Sequence, residues 1–236
     1  MSASVPGHFQ RLQKVMSQRG MASRRQAETY IEAGYVWVND QPVTQLGCMV
    51  DPYYDRIALR LPPHIQYQAI AFHKPKGMVT HSPQPNETEI KDVLPPSYRA
   101  LSPVGRLDKA SEGLIILTND GRLSRQLLTG RHEREYIVRV NREFTTGMQD
   151  RLLEAVSILG APTLPIVIHP VGPTAFHITL TEGRHHHIRR LCHKVGLSVV
   201  QLKRIRIGGI LLGDLVKGHC RDLWPDEFDW VYPTGG

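Results

Sequence analysis

Pro103-Val-Gly-Arg-Leu-Asp-Lys-Ala-Ser-Glu-Gly113 runs directly into Leu114-Ile-Ile-Leu-Thr118, and this junction decides how the chain is read. A charged loop enters an apolar segment of strand length, which stops at the turn tripeptide Asn119-Asp120-Gly121. Loops held by a rigid strand are where chemistry concentrates. Asp108 stands between Arg106 and Lys109, and glycines at 105 and 113 permit close backbone approach. A carboxylate flanked by cations is favoured in its ionised form, ready to act as nucleophile or base. On these residues alone, an aspartate serving a turn or a helix cap is an equal reading.

The composition limits the partners. The 236 residues suffice for one large domain or two unequal ones. With 29 Lys+Arg against 22 Asp+Glu, a formal net charge of +7, an anionic partner is expected, nucleic acid first. Cys48, Cys192 and Cys220 are too few and too scattered for a disulfide framework or a zinc ribbon, and they fit a reducing compartment. The N-terminus lacks the basic-then-apolar layout of a signal peptide, and no apolar run is of membrane-spanning length. The expectation is a soluble cytoplasmic protein.

Residues 1–9 read as a flexible tail. Leu12, Val15 and Met16 then recur at helical spacing up to a stop at Gly20. Ser23-Arg24-Arg25-Gln26 has the pattern of a capping box and opens a second helix with Ala27, Tyr30 and Ile31 on its apolar side. Tyr35-Val-Trp-Val38 alternates as a strand, with Asn39-Asp40 as its turn. Arg11, Lys14, Arg19, Arg24 and Arg25 all precede the first acid, Glu28. Two arginines in the first turn of a helix oppose its dipole, so phosphate contact explains them better than local stability does.

The proline-bearing stretch 62–68 reads as a linker. A strand, Ala69-Ile-Ala-Phe72, then leads into the turn Lys74-Pro-Lys-Gly77, with both lysine heads expected to project outward. Residues 82–97, with four prolines and few apolar side chains, read as a surface excursion. Tyr136 opens the alternating strand Ile137-Val-Arg-Val140, and by itself it is most simply a packed aromatic. From Arg184 to Arg206 there are seven Lys/Arg, four His and no acid, the mark of a groove for a polyanion. Zinc is the competing use of His185 to His187, Cys192 and His193. Three adjacent histidines do not converge on one ion, and the spacing fits no standard ligand pattern, so no metal is expected.

Gly105-Arg106-Leu107-Asp108 followed by Gly113-Leu114 resembles the catalytic motif of RNA pseudouridine synthases. Leu12 to Asn39, with Ser23-Arg-Arg-Gln-Ala, Ile31-Glu-Ala-Gly and Val36-Trp-Val-Asn, resembles the S4-like RNA-binding domain, with Asp40 where many members have glycine. Arg134-Glu135-Tyr136 matches a family pattern of basic residue, any residue, tyrosine. Gly183, Arg184, Ile188 and Arg189 match Gly-Arg-x-x-Gln-Ile-Arg, with His187 in the place of glutamine. The whole resembles the RsuA family, the bacterial ribosomal RNA branch of these synthases.

The resemblance implies an α+β chain: an S4-like α-β domain over 10–61, a linker over 62–68, and a catalytic domain over 69–236. The catalytic domain would be a mixed, mainly antiparallel sheet flanked by helices. It implies isomerisation of uridine to pseudouridine on a flipped-out nucleotide, with no cofactor. The catalytic residues would be Asp108, Arg189 paired with it, and Tyr136 stacked on the base. Whether Asp108 attacks the sugar or the base, or assists proton removal, is left open. Arg106 would occupy the vacated stack, Leu202 would pack near the base, and Lys74, Arg184 and Arg190 would join the front-domain cations on phosphates. The partner would be ribosomal RNA, that of the large subunit (23S) on the similarity of Gly105–Leu114 and Ser157-Ile-Leu-Gly160. Arg206-Ile-Gly-Gly209 also resembles the small-subunit enzyme, and transfer RNA is a further candidate. The chain is expected to act as a monomer and off the membrane. A non-catalytic RNA-binding or ribosome-assembly protein is the rival reading. A two-metal nuclease is disfavoured, because only Glu112 and Asp120 lie near Asp108 in sequence.

Overall fold

The computed structural model describes residues 8–62, 67–154, 157–158 and 161–227. Most of the tail expected over 1–9, the centre of the linker, the end of the 157–160 segment and the last nine residues lie outside these.

The front unit begins with α1 (Leu12–Gln18), which ends through Gly20 at φ +72°, a left-handed conformation that glycine adopts without steric cost. Helix α2 (Arg24–Glu32) opens with the capping box expected: Ser23 Oγ accepts from the Gln26 N–H at 3.3 Å, and Gln26 Oε1 accepts from the Ser23 N–H at 3.2 Å. A three-stranded antiparallel sheet follows, β1 (Val36–Val38), β2 (Gln41–Val43) and β3 (Ile57–Leu59), with β1 in the middle. Asn39 and Asp40 turn the hairpin at φ +49° and +62°. Two positive φ values define the tight turn that favours glycine, which accounts for Asp40 as a departure confined to the turn. Leu12, Val15, Met16, Ala27, Ile31 and Val36 fill the core between helices and sheet.

Residues 69–222 form a nine-stranded sheet. Its main strands are β4 (Ala69–Lys74), β5 (Glu112–Thr118), β6 (Arg134–Val140), β7 (Val167–Gly172), β8 (Ala175–Leu180), β9 (Val199–Ile207) and β10 (Cys220–Asp222). They lie in the order β7-β8-β6-β9-β5-β4-β10. Short pairings by Ser102–Pro103 and Ile210–Leu211 complete the sheet. Every neighbouring pair is antiparallel except β9 and β5 at the centre. That parallel pair depends on Gly113, at φ +112°, because a Cβ there would lie 2.2 Å from the Arg204 carbonyl oxygen.

Strands β4 and β5 are buried along their whole length, as both faces are covered. Helix α3 (Gly121–Thr129) lays Leu123 and Leu127 on the face of Ala71, Leu114 and Ile116. Ile90, Leu94 and Leu101 cover the opposite face, over Ile70, Phe72 and Ile115. The 82–97 stretch is therefore not a plain surface excursion, since its few apolar residues seal the back of the sheet. Helices α4 (Thr146–Leu153) and α5 (His187–Lys194) pack on the other half, around Val138, Phe176 and Leu191. The α1–α2 turn rests on the start of α3. Gly20 and Gly121 face each other there, and Gln26 Nε2 donates to the Asn119 carbonyl at 3.3 Å.

Candidate active site

Asp108 sits on the loop between Ser102–Pro103 and β5, and that loop is tied at five consecutive residues. Thr80 Oγ1 donates to the Leu107 carbonyl at 2.8 Å and accepts from the Leu107 N–H at 3.1 Å. The Asp108 carbonyl accepts from the Ser111 N–H at 2.9 Å, and the Lys109 carbonyl accepts from the Gly77 N–H at 2.7 Å. Arg189 Nη2 then reaches the Ala110 carbonyl at 3.0 Å and Ser111 Oγ at 3.4 Å, while Nη1 donates to the Val199 carbonyl at 3.2 Å. Gly105 allows the loop to enter at φ +74°. So many anchors on so short a segment fix the backbone that carries the carboxylate.

The carboxylate itself is left for the cleft. Asp108 is 34 % exposed at its side chain, and its one ion-pair contact among the described residues is His186 Nε2 at 3.7 Å. It borders a cavity of about 620 Å³, a size ordinary for a ligand cleft. Tyr136 from β6 and Leu202 from β9 form the apolar floor, and Arg106 stands exposed at the rim. Glu182, the other carboxylate on the wall, is occupied: it accepts from Arg184 Nε and Nη2 at 3.2 and 3.1 Å and from the Leu164 N–H at 3.0 Å.

Several expected residues are placed differently. Lys74 is fully buried, so it is not a phosphate contact. Its ammonium donates to the carbonyls of Pro75 and Met78 at 2.9 and 2.7 Å, closing the turn from inside. Burial pushes it down to about 8, and the nearby Asp108 charge opposes that drop. Arg189 does not pair with Asp108; its guanidinium braces the loop and the β9 backbone instead. Arg19 donates to the carbonyls of Pro52 and Asp55 at 2.8 and 3.2 Å, which ties a turn of the front unit. Arg24, Arg25 and Arg11 are exposed and Lys14 is half-buried. Arg184 lines the cleft while held by Glu182, and Arg190 is half-buried on α5, away from the cleft wall.

Other residues join the site without having been singled out. Arg204 is buried opposite Tyr136 in register. Its Nε donates to the Leu114 carbonyl at 2.7 Å, and Nη2 is buried with no hydrogen-bond partner among the described residues. Strand alternation from Leu202 puts residue 204 on the same face, so a signal was present in the sequence. Thr80 gave no such signal. His187, which the sequence placed where the motif has glutamine, is buried, its imidazole pushed down by burial, with Nε2 3.8 Å from Glu182 Oε1. Among the described residues no helix is long and apolar enough to cross a membrane.

A motif-bearing aspartate on a braced loop, sharing a basic cleft with a tyrosine and preceded by a small α-β unit, defines a class that sequence comparison identifies directly. The RNA pseudouridylate synthase model matches residues 68–194, and the S4 domain model matches residues 10–52. The chain belongs to the RNA pseudouridylate synthase family, with an S4 domain in front. It is 36% identical over 230 residues to the dual-specificity RNA pseudouridine synthase RluF of Escherichia coli (strain K12), covering 94% of this chain and 78% of that protein. It is 35% identical over 241 residues to an uncharacterized RNA pseudouridine synthase of Mycobacterium leprae (strain TN), covering 96% and 93%. A crystal structure of pseudouridylate synthase superposes with a TM-score of 0.70 at 26% identity, over 94% of this chain and 99% of that one.

Proposed function

We propose that this enzyme converts uridine to pseudouridine in large-subunit (23S) ribosomal RNA, with the 10–61 unit gripping RNA and residues 69–236 acting on one flipped nucleotide. The observation that carries the chemistry is the Asp108 carboxylate, which accepts no hydrogen bond within the described chain and opens onto a cleft floored by Tyr136 and Leu202. The C1′–N1 bond breaks, uracil turns, a C5–C1′ bond forms, the C5 proton leaves and N1 takes up a proton, so the product is an isomer of the substrate. No electrons are exchanged with a partner, so the reaction needs no redox cofactor. Asp108 stabilises or traps the fragments in the cleft, and Tyr136 stacks on the base while it turns. Arg189 contributes by fixing the loop through Ala110 and Ser111, and Arg106 at the rim fills the space that the base leaves. Arg24, Arg25, Arg11 and Lys14 supply sequence-independent phosphate contacts.

A second RNA substrate, transfer RNA included, is favoured by one observation: the Escherichia coli relative is named a dual-specificity enzyme. The test is a map of pseudouridines in ribosomal and transfer RNA from cells lacking the gene, complemented with wild type or Asp108→Asn. Sites lost in the deletion and restored by wild type alone name the targets. An unchanged map would favour a binding or ribosome-assembly role.

A further inference from the structure

His186 is the residue that the structure sets against Asp108. Its Nε2 lies 3.7 Å from Asp108 Oδ2. The backbone at 186 is left-handed, φ +53° and ψ +32°, immediately before α5. A side chain with a Cβ adopts that region only at a steric cost, and such strain collects at functional sites. The position is an N-cap, yet the imidazole makes no capping hydrogen bond, so helix geometry does not explain it. Instead the ring stacks on His185, with centroids 3.9 Å apart and planes 19° from parallel, which fixes its direction toward the carboxylate. Arg189, the cation expected to pair with Asp108, has both terminal nitrogens committed to carbonyls and a hydroxyl.

We propose that His186 is a positioning residue for the reaction, the group whose Nε2 orients the Asp108 carboxylate while the nucleotide enters. This rests on the pseudouridine synthase reading and adds to it the partner of the reactive carboxylate. The left-handed turn brings the imidazole to the carboxylate, and the His185 ring stacks against it. At 3.7 Å the contact closes to a charge-assisted hydrogen bond with a movement of less than 1 Å.

The test uses the purified full chain on ribosomal RNA from cells lacking the gene, labelled with tritium at uracil C5, with tritium release followed under single-turnover conditions. His186→Asn keeps a residue tolerant of the left-handed backbone and removes the imidazole. The rate is expected to fall about 10- to 100-fold, with half-saturating RNA concentration changed by less than about twofold. His186→Arg supplies another N–H donor able to reach the carboxylate and is expected to recover the rate to within about threefold. The residue is exposed, so melting temperatures should match wild type, and a matched fold with a lost rate supports positioning. A wild-type rate in His186→Asn, an equal loss in His186→Arg, or a defect confined to RNA affinity overturns the assignment of His186 alone. If wild type releases no tritium, the enzyme reading falls and this inference with it.

Discussion

Arg189 Nη2 donates to the Ala110 carbonyl at 3.0 Å, so one guanidinium on α5 sets the backbone two residues beyond Asp108. The same side chain reaches the β9 backbone at Val199, linking loop and sheet. Arg189→Lys keeps the charge but loses the planar fork that serves separate acceptors. The expected result is a stability loss of about 1–3 kcal/mol in urea denaturation and a turnover loss of about tenfold or more. RNA affinity should be unchanged in filter binding.

Gly113→Ala tests the parallel pairing at the centre of the sheet. The added Cβ would meet the Arg204 backbone, with the oxygen at 2.2 Å and the nitrogen at 2.6 Å, and neither can yield as a side chain tip would. With φ at +112° the variant is strained as well. A loss of at least about 3 kcal/mol is expected, seen as a lowered melting temperature or failure to fold.

His187 links stability to pH. Burial holds its imidazole below the ordinary histidine value. Below about pH 6.5 the unfolded chain therefore takes up a proton that the folded ring resists, and stability falls as pH drops. His187→Gln removes this contribution, so the stability difference between pH 7.5 and 5.5 should narrow in urea titrations. It should not vanish, because His73 is also held down by burial and adds to the same slope.

The front unit separates RNA contact from structure among its arginines. Arg24 and Arg25 are exposed in the first turn of α2, with no acid in that turn to pair with them. Replacing both with Gln should weaken RNA binding and flatten the plot of log affinity against log salt by roughly 1–2 units, with turnover at saturating RNA unchanged. Arg19→Gln should instead cost about 1–2 kcal/mol of stability, because its guanidinium ties the Pro52–Asp55 turn.

Much of this was legible in local sequence because the signals are local. Ser23 and Gln26 form their capping box within four residues, and Gly113 declared a close approach before its neighbour was known. The Asp108 loop stood out by its charge pattern and motif. What failed was burial and long-range pairing. A lysine in Lys-Pro-Lys-Gly reads as exposed, yet Lys74 ends a strand lying between β5 and β10 and turns its ammonium onto nearby carbonyls. The loop partners of Arg189 lie 78 and 79 residues away along the chain, a distance no spacing rule spans. Thr80 grips Leu107 across 27 residues, and a lone threonine carries no pattern. Ile90, Leu94 and Leu101 were diluted by prolines, so a sheet-covering surface had no period to show it.

The central claim is that the Asp108 carboxylate carries the isomerisation. The most direct measurement is tritium release from C5-labelled uridine in ribosomal RNA lacking this modification, comparing wild type with Asp108→Asn. The substitution preserves shape and removes the charge, and a side chain about a third exposed with no hydrogen bond to lose gives it little reason to disturb the fold. Release by wild type with a loss of at least about 10³-fold in the variant, at unchanged RNA affinity, is the predicted result. Release by Asp108→Asn near the wild-type rate would contradict the account.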